Sequence, residues 1–242
     1  MVAVHTTSIA ITNTVFDLYS SSDASQFIDG LRQECDQALS AHGGKWTKAA
    51  VDQLNKVDSA IKESMRLSVR VVGIHRMVRT AVISAHLSLT LIITRQVTAP
   101  NGVDFGDNFH VPFGVRVALP NHSIQRDPDN YPEPDRYNAF RFSELRGALP
   151  ATTDEEGFTQ GSAYLKQRQQ GLVTPNDAFL AWGHGRHACP GRFFAAHLMK
   201  LILAHVVTNY DVRPLKTPQP LMRNEFTIPD PTAVFEIKQR AK

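Results

Sequence analysis

Phe179-Leu180-Ala181-Trp182-Gly183-His184-Gly185-Arg186-His187-Ala188-Cys189-Pro190-Gly191 is the stretch on which the reading of this chain turns. It holds one of only two cysteines in 242 residues. Glycines and basic residues crowd that cysteine, and an apolar helical pattern starts directly after it. Glycine lets a backbone approach a flat ligand closely or take a positive φ. A thiolate at a helix start is stabilised by unpaired N–H groups and by the helix dipole. Pro190 suits a first helical turn, where a missing N–H costs nothing. Together these features point to a thiolate held rigidly for a large planar cofactor.

Three chemistries compete at Cys189. His184, His187 and Cys189 are zinc-ligand types, but only three cluster and no Cys-x-x-Cys accompanies them. A histidine-activated cysteine nucleophile also needs an oxyanion hole and a third partner. The third chemistry is thiolate ligation of haem. The local residues alone leave the three open.

Composition narrows the rest. Hydrophobic residues make up 42% and charged residues 20%, which excludes a disordered chain and allows a sizeable core. The net charge is +3, and no Lys/Arg run points to nucleic acid. Two cysteines are no disulfide scaffold, so a reducing compartment is expected. The first residues carry no signal peptide. No run reaches the roughly 18–20 apolar residues of a membrane-spanning helix.

Outward from Cys189, Pro190–Tyr210 reads as a helix with Phe194, Leu198, Leu201, Ile202 and His205 on its apolar face. His197 is expected on its inner side. Upstream, residues 1–20 read as a helix with a stripe of Ile9, Phe16 and Tyr19 beside Val15. Residues 23–41 form an amphipathic helix on Phe27, Leu31, Cys35 and Leu39, ended by Gly43-Gly44. A short helix over 46–55 and another over Asp58–Leu67 follow. Val69–Ile74 is strand-like, and 97–119 predicts one or two hairpins turning at Asn101-Gly102 and near Phe113-Gly114. Residues 127–142, dense in Pro, Asp and aromatics, read as a structured loop. Residues 143–175 read as polar and mobile, with a short helix near 160–169. The tail carries a strand pair among Pro214, Pro218, Pro220 and Pro229, then an alternating Ala233–Ile237.

The residues Trp182–Gly191 resemble the haem-binding signature of the cytochrome P450 superfamily. Glu63-x-x-Arg66 stands where that family keeps its Glu-x-x-Arg helix. Asp127-Pro128, Tyr131-Pro132-x-Pro134 and Tyr137-x-x-Phe140-Arg141-Phe142 resemble its meander. His5-Thr6-Thr7 resembles the oxygen-activation site of its long central helix. The wording around Cys189 is similar to filamentous-fungal members of secondary metabolism. The implied fold is mostly α with a small β region: the C-terminal part of the cytochrome P450 fold, incomplete, spanning 1–242.

The resemblance implies roles residue by residue. Cys189 is the axial thiolate of haem b (iron protoporphyrin IX), donating electron density that favours O–O cleavage. Gly185 and Gly191 let the backbone wrap the sulfur, and Trp182 stands where the family usually has Phe. His187 and Arg76 match positions that pair with haem propionates. Thr6 holds the proton-delivery network, with His5 in place of the usual acid and able to relay protons near neutral pH. Glu63, Arg66 and Arg141 form a buried structural triad. Val71, Val72 and the turn near Ile228 resemble substrate-lining segments. Residues 79–94 interrupt the family's pattern and read as an insertion, expected to be a retained intron. The family's N-terminal half, with its membrane anchor, is expected to be absent.

The implied function is a haem-thiolate monooxygenase. It takes electrons ultimately from NADPH through a flavoprotein reductase, activates O2, and oxidises an apolar secondary metabolite of terpenoid or indole-alkaloid type. Arg186, Arg192 and Lys200 are expected to offer the reductase a basic face. The family usually works at the cytosolic face of the endoplasmic-reticulum membrane. Without an anchor, this chain is expected in the cytoplasm or loosely on a membrane. The alternative is a truncated, catalytically inactive fragment or mis-spliced product.

Overall fold

The computed structural model describes residues 2–68, 94–106, 108–118, 120–148, 169–216, 218, 220–223 and 226–241. The expected strand Val69–Ile74, Arg76, residues 79–93 of the expected insertion, and almost all of the expected 160–169 helix lie outside them.

Helix α1 (Val2–Ser20) is followed by α2 (Ala24–Ala41), the short α3 (Lys48–Asp52) and α4 (Asn55–Ser68). The short α5 (Asn121–Ile124), α6 (Arg141–Ala148) and the long α7 (Arg192–Asn209) come later. The core lies where α1, α2, α4 and α7 meet, around Leu18, Leu31, Leu54, Ile61, Met199 and Leu203. The fold is mostly α with a few short strands, as expected.

α2 buries Phe27, Leu31 and Cys35 as its spacing predicts, with Ala38 in place of Leu39. It stops because Gly43 and Gly44 both take positive φ, and the Gly44 N–H closes back onto Leu39 O at 2.8 Å. Thr47 Oγ1 caps α3 by accepting the Ala50 N–H. α4 and α6 are capped from outside their own sequence. The Glu34 carboxylate of α2 accepts the Lys56 and Val57 N–H groups at 2.7 and 3.0 Å, so α4 starts at Asn55 rather than Asp58. The Ser59 hydroxyl of α4 accepts the Phe142 and Ser143 N–H groups, so a helix begins where a polar loop was expected.

The strands among the described residues form antiparallel pairs. β1 (Thr94–Gln96) pairs with β4 (Arg116–Ala118), and β2 (Val103–Asp104) pairs with β3 (His110–Val111) inside that loop. The predicted turns exist, with Gly102 and Gly114 at positive φ, but they join the outer pair to the inner one. The inner pair is closed instead by the Phe105 N–H donating to Phe109 O and the Phe109 N–H to Gly106 O. β5 (Tyr210–Val212) pairs with β8 (Ile237–Gln239), and β6 (Leu221–Arg223) with β7 (Phe226–Ile228). Ala233–Glu236 is not strand; Phe235 stacks on Phe16 of α1 at 5.0 Å.

α7 departs most from expectation. Its buried residues are Ala196, Met199, Lys200, Leu203, Ala204 and Val207. Phe194 is 72% exposed, and Leu198, Ile202 and His205 also face solvent. The helix is apolar on nearly all sides, so periodicity alone picks no face. Packing chose the face that carries Ala196, Met199, Leu203, Ala204 and Val207, which meets α1, α2 and α4.

Candidate functional site

Cys189 lies half-buried at the end of a tight loop that leads into α7. Gly183 and Gly185 turn the chain at φ +78° and +65°, a region that side chains disfavour. A short 3₁₀ turn, Gly185–His187, follows. The Cys189 N–H then donates to Trp182 O at 2.7 Å, closing the loop. Gly191 is the residue before α7, so Pro190 sits one position further out than the first helical turn. The Arg192 guanidinium donates to Cys189 O at 2.9 Å and to Val173 O at 3.0 Å, pinning the carbonyl beside the thiol.

The loop is suspended from the core. Trp182 Nε1 donates to Leu172 O at 2.6 Å. The Leu180 N–H donates to Gln125 Oε1 at 3.1 Å, and Tyr131 Oη donates to Ala178 O at 3.0 Å. Gln125 O in turn accepts Arg66 Nη1 at 2.6 Å. Gln125 is buried and links the Glu63/Arg66 helix directly to the cysteine stretch. No motif in the sequence points to it.

The two histidines of the cysteine loop both have partners. His184 turns to Asp177 at 3.2 Å, and His187 accepts from Arg186 Nε at 3.2 Å. Each ring thus has a polar partner within the loop or beside it. Among the described residues, no group of three or more His, Cys, Asp or Glu is placed to hold a metal ion. A Cβ built at Gly185 or Gly191 meets nothing within 4 Å. A cleft of about 350 Å³ lined by Asn13, Asp17, Ser68 and Tyr137 includes no residue of this loop.

Glu63, Arg66 and Arg141 come together. Glu63 Oε2 and Oε1 accept Arg66 Nε and Nη2 at 2.8 and 2.9 Å, a two-pronged pair with both side chains fully buried. Arg141 Nε reaches Glu63 Oε1 at 2.9 Å and donates to the carbonyls of Pro132, Glu133 and Arg136. The Arg66 guanidinium lies over the Tyr131 ring at 4.7 Å. Every charge in this cluster has a partner, which burial demands.

Other expected residues fall out differently. Thr6 is half-buried and His5 exposed on α1, the helix that packs against α7. Arg76, Val71 and Val72 lie outside the described residues. The basic face expected of Arg186, Arg192 and Lys200 is not formed: only Arg186 is exposed. Lys200 is buried and faces Asp58 at 3.6 Å, because a long side chain on the packed face of α7 needs a counter-charge. His197 is partly exposed, bonded to Asp52 at 2.9 Å rather than turned inward. Cys35 is a core residue, and burial pushes its thiol up to about 12.

The cytochrome P450 family model matches residues 1–237. The chain belongs to the cytochrome P450 family. Among curated proteins, this P450 is 46% identical to the cytochrome P450 monooxygenase htyF of Aspergillus rugulosus over 93% of its own length. It is 40% identical to gloP of Glarea lozoyensis over 99% of its length, and 35% identical to okaG of Penicillium ochrochloron over 89%; both carry the same description. It covers 30%, 40% and 38% of those three fungal proteins, about a third of each. No helix among the described residues of this P450 is long and apolar enough to cross a membrane.

Proposed function

We propose that this chain is the C-terminal part of a haem-thiolate monooxygenase domain, with Cys189 as the axial ligand of haem b. The observation that carries the reading is the half-buried Cys189 thiol, presented by a positive-φ glycine loop with open space at Gly185 and Gly191. When bound, haem supplies an iron centre at which O2 is activated by reduction. The protein's part is to hold and tune. Cys189 donates electron density through sulfur. The Cys189 N–H is already committed to Trp182 O, which keeps the backbone turned around the sulfur. His187 and Arg76 are assigned to the propionates, and Thr6 with His5 to proton delivery. Glu63, Arg66 and Arg141 hold the scaffold behind the loop.

Electrons come from NADPH through a flavoprotein reductase, and the substrate is an apolar secondary metabolite of terpenoid or indole-alkaloid type. The whole protein works at the cytosolic face of the endoplasmic-reticulum membrane. Residues 79–94 are an insertion from a retained intron; mature transcripts that keep those codons in every isolate would refute this.

A second reading, a fragment that does not retain haem, is favoured by the exposed apolar stripe of Phe193, Phe194, Leu198 and Ile202 on α7. One experiment separates the two. The full chain is expressed with haem, reduced and exposed to carbon monoxide. The first reading expects the red-shifted Soret band of thiolate ligation, lost in Cys189→Ser. Haem that separates on gel filtration, with no such band, establishes the second.

A further inference from the structure

The segment 169–173 is a strut between the core and the cysteine loop. On the core side, Asp58 of α4 is buried, and its Oδ2 accepts the Leu172 N–H at 2.9 Å. The same carboxylate is ion-paired with Arg146 of α6 and faces Lys200 of α7 at 3.6 Å. Arg146 Nη2 also donates to Gln170 O at 2.8 Å, and Lys62 Nζ to Gln169 O at 2.9 Å. On the loop side, Leu172 O accepts the Trp182 indole N–H at 2.6 Å, and Trp182 O accepts the Cys189 N–H. One hydrogen-bonded path therefore runs from Asp58 through Leu172 and Trp182 to the backbone of Cys189.

We propose that Asp58 is a positioning residue for the Cys189 thiolate, acting through Leu172 and Trp182. It rests on the reading of Cys189 as the functional thiol. A carboxylate paired with two cations has one settled orientation, and its charge-assisted bond holds the Leu172 amide more firmly than a neutral acceptor does. Leu172 is fully buried, so its backbone cannot exchange these partners for water. Trp182 is what carries the restraint onward. A phenylalanine at this position has no N–H to offer Leu172, and the path breaks there.

The test measures how fast Cys189 reacts with an aromatic disulfide in the folded full chain; Cys35, buried in the core, does not compete. Trp182→Phe and Asp58→Asn are each expected to speed the reaction about fivefold, the factor by which one lost hydrogen bond shifts a local opening. The double variant is expected to be no faster than the quicker single one, since both cut one path. Arg32→Ala, which loosens the far, C-terminal end of α7, leaves the rate unchanged. Unchanged rates in both single variants, or effects that multiply in the double, overturn the proposal. If Asp58→Asn loses its helical circular dichroism, amide exchange in Trp182→Phe decides alone. The Cys189 N–H is then expected to lose protection while Leu31 keeps it, and unchanged protection overturns the proposal. None of these measurements needs haem, so they can fail while the carbon monoxide band is present, and the reverse.

Discussion

At the scale of single residues, buried charge dominates the behaviour of this chain. Glu63 is fully buried and depends on two guanidinium groups. Arg141→Ala leaves it half-paired and strips three carbonyls of their donor. We expect about 3–5 kcal/mol lost in urea unfolding, with Arg141→Lys recovering only part, because an ammonium lacks the planar fork. Lys62 is the opposite case. It is held between the rings of Phe142 and Phe179, at 4.3 and 4.6 Å. Burial there pulls its ammonium down from 10.5 to about 7, against the pull of Asp58. Between those two values the unfolded chain keeps a proton that the folded chain has released. Stability therefore rises with pH across that window, and below it the cost of burying the charge is complete. In melting curves from pH 6 to 10, Lys62→Met should abolish that rise. An identical slope in the variant contradicts the assignment. Glu63-x-x-Arg66 was readable as a motif, whereas Lys62 and Gln125 were not. A lone Lys or Gln on a helix or turn says nothing of its depth until another segment covers it.

At the scale of elements, local pattern and tertiary context divide the work. α2 was legible because its apolar spacing and its Gly43-Gly44 stop are both written into the segment. The starts of α4 and α6 were not, since their caps, Glu34 and Ser59, belong to other helices. Glu34→Ala should cost about 0.5–2 kcal/mol, as for loss of a local cap, and fray the first turn of α4. Amide exchange at Lys56 and Val57 measures this directly. The C-terminal end of α7 is held in the same way. Arg32 of α2 donates to Val207 O and Tyr210 O at 2.8 and 3.1 Å. Strand pairing was half legible: glycine marked the turns, but which strands meet across them depends on closing the outer pair around the inner.

At the scale of the whole molecule, the distribution of apolar surface is the main finding. α7 buries one apolar face and exposes another, through Phe193, Phe194, Leu198 and Ile202. Contiguous apolar surface on a separate chain promotes association. Replacing Phe194 and Leu198 together with serine should reduce self-association in light scattering at high concentration. The melting temperature should barely change, since neither residue is buried. A large fall in melting temperature would mean that the stripe is covered in solution.

The sequence by itself determined the family, the α-rich class, the cysteine loop and the identity of the charges around Glu63. These are short-range patterns, in which residue type and spacing carry the chemistry. Tertiary structure alone decided which face of α7 is inside, which helices cap one another, and how Asp58, Gln125 and Trp182 suspend the loop of Cys189. Those contacts join residues 10 to 178 positions apart. The backbone groups they satisfy exist in every sequence, so nothing local marks which side chain will reach them.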